Sequence, residues 1–168
     1  VIWNVGQGQW VTAVEPSQCL HFDTGGERSP LSRVQSRCPT GQNKSYFSHW
    51  DWDHIAFAAS ARNRLTRFCV KVPPRGQATS KKFRALGRIQ TCPESRTRIR
   101  IHEIAAPNPK PRSSRSSNSE SRIFVIDTQI LDPGDSTAAE EKIWARHIPR
   151  PNSTRVLIAG HHGRRTST

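Results

Sequence analysis

Apolar positions in this chain come in short bursts between turn residues rather than in long periodic stretches. Residues 11–14 and 20–22 predict two strands joined by a turn at Pro16 and Ser17. Asp23-Thr24-Gly25-Gly26 then breaks the pattern, and residues 27–44 read as a polar, Ser-rich loop. Residues 45–48 read as a short strand running into His49, and the Ala-rich spacing of 53–62 predicts a helix. Residues 68–72 form a strand pattern stopped by Pro73 and Pro74, and 80–86 a short basic helix stopped by Gly87. Charged and apolar residues alternate over 98–104, the pattern of a half-buried strand. Residues 105–119, built around the low-complexity run PNPKPRSSRSSNS, predict a mobile surface loop. Beyond it, 123–126 and 129–131 predict buried strands, 137–146 a helix with acidic first turns, and 155–158 a final core strand. There is no internal repeat, and strands mix with helices along the whole length, which predicts a single α/β domain over residues 1–168.

Composition narrows this picture in two ways. Only 33% of the residues are apolar, yet five Trp and six Phe argue for a packed core rather than disorder. No apolar run approaches the ~18 residues a membrane-spanning helix needs, so the segment is expected to be soluble as it stands. It begins at Val1, has no signal-peptide pattern and contains no Met, the mark of a domain excised from a longer protein or of a processed product.

Charge is distributed unevenly. Between Arg62 and Arg122 there are 16 Lys and Arg against Glu94, Glu103 and Glu120, whereas the other 107 residues carry 10 basic and 10 acidic groups. The whole net charge of +13 therefore falls in one central stretch. A concentrated basic region is the electrostatic footprint of a polyanion binder, with nucleic acid the leading partner. The four Cys lack CxxC spacing, which argues against a zinc knuckle. They allow three disulfide connectivities and are equally compatible with four thiols.

Chemistry concentrates at three places where an apolar run meets metal-ligand residue types. In Ser48-His49-Trp50-Asp51-Trp52-Asp53-His54, four potential ligands fall within six residues. On an extended loop His49, Asp51 and Asp53 alternate towards one side, and His54 turns in as the helix begins. Imidazole and carboxylate together suit zinc, manganese or iron. The second place is Asp132-Pro133-Gly134-Asp135, where one carboxylate can bridge cations, although a turn with an N-cap explains it as well. The third is Gly160-His161-His162-Gly163. Trp50 and Trp52 alternate with the ligands and either stack on bases or pack beneath the loop.

Taken in order, Asn4-Val5-Gly6-Gln7-Gly8, Phe22-Asp23-Thr24-Gly25, the HxDxDH loop, the Gly134-Asp135 turn and Gly160-His161-His162-Gly163 resemble the metallo-β-lactamase fold superfamily. More narrowly, the chain is similar to the C-terminal hydrolase domain of the ComEC family of competence DNA-uptake channels. The resemblance implies a four-layer αββα sandwich with a metal centre at one edge. It assigns His49 and Asp51 to a first metal position, Asp53 and His54 to a second, Asp135 to a bridge, and His161 to completion of the second site, with His162 the other candidate for metal or substrate. Asp23 would support the loop rather than touch metal.

The same resemblance implies one or two divalent ions, Mn²⁺ or Zn²⁺, and no small-molecule cofactor. Asp51 stands where the superfamily's commonest loop has a second His, which favours manganese over an all-His site. Asn4 and Gln9-Trp10 also depart from the pattern, and His102, inside an alternating strand, is a poor ligand candidate. The activity implied is DNA hydrolysis during uptake, with Asp53 and Asp135 in catalytic positions. Arg62, Arg64, Arg67, Lys81, Lys82, Arg84, Trp50 and Trp52 would contact DNA, in single-stranded form. The parent would be an inner-membrane channel carrying this domain on its periplasmic or extracytoplasmic side. The alternatives are a DNA-binding module that does not cleave, and a hydrolase of another phosphodiester.

Overall fold

In strand β2 (Gln18–Phe22), Cys19 and His21 point one way and Leu20 and Phe22 the other, and both faces are buried. That double burial places β2 in the interior of the fold and organises everything around it. The computed structural model describes residues 1–76, 78–94, 97–105, 118–149 and 151–158. The first sheet has the order β1-β2-β3-β4, with β1 (Val11–Glu15) antiparallel to β2, and β3 (Gln42–Tyr46) and β4 (Phe68–Val72) continuing in parallel. Parallel neighbours need crossovers. Helix α1 (Leu31–Arg37) lies in the first, and α2 (Trp52–Ile55) and α3 (Ala58–Arg64) lie in the second. Helix α4 (Ser80–Leu86) follows β4, capped by Thr79.

The second sheet has the order β5-β6-β7-β8, formed by Ile101–Ala105, Arg122–Ile126, Ile130–Asp132 and Val156–Leu157, with only the last pairing parallel. Between β7 and β8 runs α5 (Ala138–Trp144), where the Thr137 N–H donates to Glu140 Oε2 at 3.1 Å in a capping box.

Three of the apolar clusters among the described residues hold these pieces together. Leu20, Phe22 and Tyr46 from the first sheet meet Phe124 and Ile126 from the second, with Phe22 ring centroids 5.2 Å from Tyr46 and 5.4 Å from Phe124. Cys19 and Phe68 pack against Leu31, Val34 and Ala61 of α1 and α3. On the second sheet, Ile104, Ile123, Val125 and Leu131 pack with Trp144 of α5. The alternation of Ile123 and Val125 against Phe124 and Ile126 divides β6 between two cores, the period-2 rule at work. Disulfides Cys19–Cys38 and Cys69–Cys92 tie β2 to the end of α1 and β4 to the segment after α4, and choose one of the three connectivities open to the sequence.

Several local expectations require correction. The polar segment 27–44 is not a loop: Leu31 and Val34, three residues apart, are enough to seat α1 on the sheet. The strand expected at 45–48 starts earlier, at Gln42, and is buried despite its polarity. Its polar side chains find partners there, with Asn43 accepting from His21 Nε2 at 2.9 Å and donating to the Thr66 carbonyl at 2.8 Å, and Ser45 donating to the Cys69 carbonyl at 2.9 Å. The helix expected at 53–62 splits at residues 56–57, where the Phe57 N–H leaves the helix to donate to the Thr24 carbonyl at 2.8 Å. The strand expected at 98–104 begins only at Ile101, and β8 is a two-residue edge strand with exposed side chains rather than a core strand. The loop expected at 105–119 falls mostly outside the described residues.

Candidate metal centre

The carboxyl ends of β2 and β3 lie side by side because the two strands are parallel, and the chain leaves each into a chemistry-bearing loop. From β2 comes Asp23, fully buried in a left-handed conformation at φ 53°. From β3 comes the segment holding Ser48, His49 and His54. The carboxyl end of β7 supplies Asp132 and, after the turn at Gly134, Asp135.

Backbone hydrogen bonds lock these loops together. Gln9 N–H donates to the Asp53 carbonyl at 3.0 Å, Thr24 N–H to the His54 carbonyl at 2.8 Å, and Gly25 N–H to the Gln9 carbonyl at 2.9 Å. The approach at Gly25 admits no side chain, since a Cβ there would lie 2.0 Å from the Asp53 carbonyl oxygen. Gly134 combines a positive φ of 54° with equally tight packing, a Cβ falling 2.2 Å from Ser121 Oγ.

The result is a buried group of His49, His54 and Asp135 in which one ligand atom of each lies within 4.8 Å of the others. The two imidazole centroids are 4.2 Å apart, and His54 Nε2 faces Asp135 Oδ1 at 3.1 Å. Asp23 sets their orientation. Its Oδ2 accepts from the Ser48 hydroxyl and from His54 Nδ1, both at 2.7 Å, and its Oδ1 accepts from Ser48 N–H at 2.8 Å. With the Ser48 hydroxyl donating to Asp23, its oxygen is left to accept from His49 Nδ1 at 2.9 Å. Both rings are therefore engaged through Nδ1 and turn Nε2 towards the cluster, the orientation a metal-ligating imidazole needs. Burial opposes charge on His54, but Asp23 and Asp135 on either side outweigh it and raise its pKa well above the usual histidine range. Two imidazoles and a carboxylate form a donor set that fits a divalent cation with positions left open for other ligands.

A second carboxylate lies behind Asp23. Gln9 Nε2 donates to Asp132 Oδ1 and Oδ2 at 2.8 and 2.9 Å and to Asp23 Oδ2 at 3.2 Å. Burial, with the neighbouring Asp23 charge, pushes the Asp132 carboxyl up to about 7. Sequence reasoning passed over Asp132 as turn chemistry, and noted Gln9 only as a departure from a motif. Ser48 and Ser121 entered it only as motif positions without a role; Ser121 Oγ accepts from Asp135 N–H at 3.1 Å. Their one signal was position, immediately beside a ligand or a strand end.

Among the other expected ligands, Asp51 stands beside the group, with Oδ2 3.4 Å from His49 Nε2 and Oδ1 3.0 Å from Lys82 Nζ. His49, and then the Lys82 ammonium, hold the Asp51 carboxyl well below the usual carboxylate range against the effect of burial. Asp53 is half-buried and does not belong to the three-residue group. His161 and His162 lie outside the described residues. His102 is exposed on β5, away from the centre.

The expected DNA contacts divide. Arg62 and Arg84 line, with Arg88, a cavity of about 220 Å³ between α3 and α4. Arg64 reaches back to Ser32 Oγ at 3.2 Å, and Arg67 is exposed at the turn before β4. Trp50 is buried in a core cluster with Phe47, Ile55 and Leu86, so it presents no face for a base, and the stacking expected of it is corrected to packing beneath α4. Trp52 is 39% exposed, with Lys81 Nζ 5.5 Å from its ring centroid. Among the described residues no helix is long and apolar enough to cross a membrane. Comparison with family models, with curated proteins and with solved structures found no match to this chain.

Proposed function

We propose that this chain is a metal-dependent phosphodiesterase domain of metallo-β-lactamase-like architecture, a four-layer αββα sandwich that cleaves DNA. The observation that carries the reading is the buried His49–His54–Asp135 group with both imidazoles oriented through Asp23. Two sheets sharing one core, with helices packed on their other faces, support the architecture. So does the order of the sequence motifs, which resembles the hydrolase domain of the ComEC uptake channels.

A bound divalent ion, Mn²⁺ or Zn²⁺, supplies a water of pKa roughly 7 and a Lewis acid for a phosphoryl oxygen. His49, His54 and Asp135 would hold it, and His161 or His162 is the further ligand that the motif resemblance implies. Asp23 keeps the His54 proton on Nδ1, so that Nε2 is available. Asp53, at the start of α2, orients the attacking water and receives its proton. Arg62, Arg84 and Arg88 neutralise substrate phosphates, giving a salt slope of about −0.7Z for a single strand with Z contacts. Trp52 offers a base-stacking face, worth ~1–3 kcal/mol. The two disulfides favour an oxidising compartment, which fits the periplasmic or extracytoplasmic side of an inner-membrane channel.

Incubation of plasmid and single-stranded DNA with Mn²⁺, Zn²⁺ or EDTA tests this reading. Cleavage is expected with metal, and is expected to vanish with EDTA and in Asp53→Ala and His54→Ala. DNA binding without cleavage under any metal would make the chain a non-cleaving binding module. Turnover of a small phosphodiester but not of DNA would make it another kind of hydrolase. Either result overturns the nuclease assignment.

A further inference from the structure

We propose that the Lys82 ammonium takes the place of a second cation beside the metal centre and holds it to a single divalent ion. The inference rests on the metal-centre reading above and concerns the number of ions, which that reading leaves at one or two. Asp51 is the carboxylate next to the His49–His54–Asp135 group, its Oδ2 3.4 Å from His49 Nε2. A second ion would take His49 and Asp51 and leave His54 and Asp135 to the first, so that each imidazole serves one ion. The outer oxygen of Asp51 is already matched by Lys82 Nζ at 3.0 Å.

This ion pair is held from both sides. The Lys82 side chain is only 15% exposed and that of Asp51 31%, so solvent competes weakly with their contact. Lys82 is placed by a helix with fixed ends. The Thr79 side chain accepts from Lys82 N–H at 3.4 Å, and Gly87 N–H closes on the Phe83 carbonyl at 2.7 Å. Leu86 of the same helix is buried with Trp50, Ile55 and Ala58, the residues that flank the ligand loop. The Trp50 and Phe83 rings stand 6.3 Å apart across that junction. Helix α4 therefore lies over the outer side of the loop and delivers one fixed positive charge to Asp51. A dication at His49 and Asp51 would have to displace that ammonium or accept its repulsion at contact range. An ion among His49, His54 and Asp135 keeps its donors.

Titration of the full chain with Mn²⁺, by calorimetry and by electron paramagnetic resonance, tests the proposal in wild type, Lys82→Met, Lys82→Arg and Asp51→Asn. Wild type and Lys82→Arg are expected to bind one ion with an uncoupled six-line spectrum. Lys82→Met, which keeps the length of the side chain and loses its charge, is expected to bind two ions with a spin-coupled spectrum. Asp51→Asn is expected to retain one ion with affinity within about threefold of wild type, because Asp51 serves the lysine rather than that ion. Two ions in wild type, or one or none in Lys82→Met, would overturn the role of Lys82 while leaving the centre itself intact. A loss of more than tenfold in Asp51→Asn would overturn it as well, by making Asp51 a ligand. No Mn²⁺ bound by wild type would remove the metal-centre reading, and this inference with it.

Discussion

Replacing Asp23 by Asn probes the hydrogen-bond relay behind the candidate metal centre with one atom changed. Asn tolerates the left-handed conformation that Asp23 adopts at φ 53°, so the backbone has no reason to move. In the protein, Oδ2 accepts from the Ser48 hydroxyl and His54 Nδ1 at 2.7 Å each and from Gln9 Nε2 at 3.2 Å, while Oδ1 accepts from Ser48 N–H at 2.8 Å. An amide NH₂ at the Oδ2 position confronts three donors, and flipping the amide sets it against the Ser48 N–H instead. The cheapest relief is for His54 to move its proton to Nε2, leaving Nδ1 to accept from the amide. Nε2 is the atom that faces Asp135 at 3.1 Å, and once protonated it cannot ligate a metal. Loss of such an orienting partner costs 10–100-fold in metal affinity, about 1.4–2.8 kcal/mol. The donors left facing each other cost a further ~1–3 kcal/mol of folding stability. Calorimetric titration with Mn²⁺ reads the first effect and urea unfolding of the metal-free chain the second. Wild-type Mn²⁺ affinity in a folded Asp23→Asn variant would refute the relay.

Three further outcomes follow from the same geometry. Gly25→Ala puts a Cβ 2.0 Å from the Asp53 carbonyl oxygen and 2.3 Å from the His54 nitrogen, so the loop carrying His49 and His54 must shift, and the DNA cleavage proposed above is expected to fall about 100-fold with the disulfides intact. Asp132 keeps its proton up to about pH 7 when folded but releases it near the ordinary carboxylate value, ~4, when unfolded, so it takes stability away as pH rises between those values. Asp132→Asn is then expected to gain about 4 kcal/mol relative to wild type between pH 4 and 7, and parallel pH–stability curves would exclude this. Reduction of the two disulfides, which join residues 19 and 23 apart in sequence, is expected to cost about 3 kcal/mol each in urea unfolding with and without a phosphine reductant.

Much of this molecule was readable from local pattern. The strand at Phe68–Val72 and the helix at Ser80–Leu86 match their expected bounds, because prolines and a glycine end them whatever surrounds them. The ligand types in the His49–His54 segment and at Asp135 were equally plain, since chemistry concentrated at strand ends needs no neighbour to be noticed. Burial of polar chain was another matter. Nothing within residues 42–44 marks them as the start of a central strand, because the polarity of Asn43 is offset by partners on β2 and the Thr66 carbonyl. Residue types along the chain determined which groups were available for chemistry and where regular structure stops. Only the tertiary structure decided that Asp23 turns both imidazoles, that Gln9 joins two carboxylates, and that Lys82 is spent on Asp51, because each depends on atoms that the parallel strands and the packed helices bring together from distant parts of the chain.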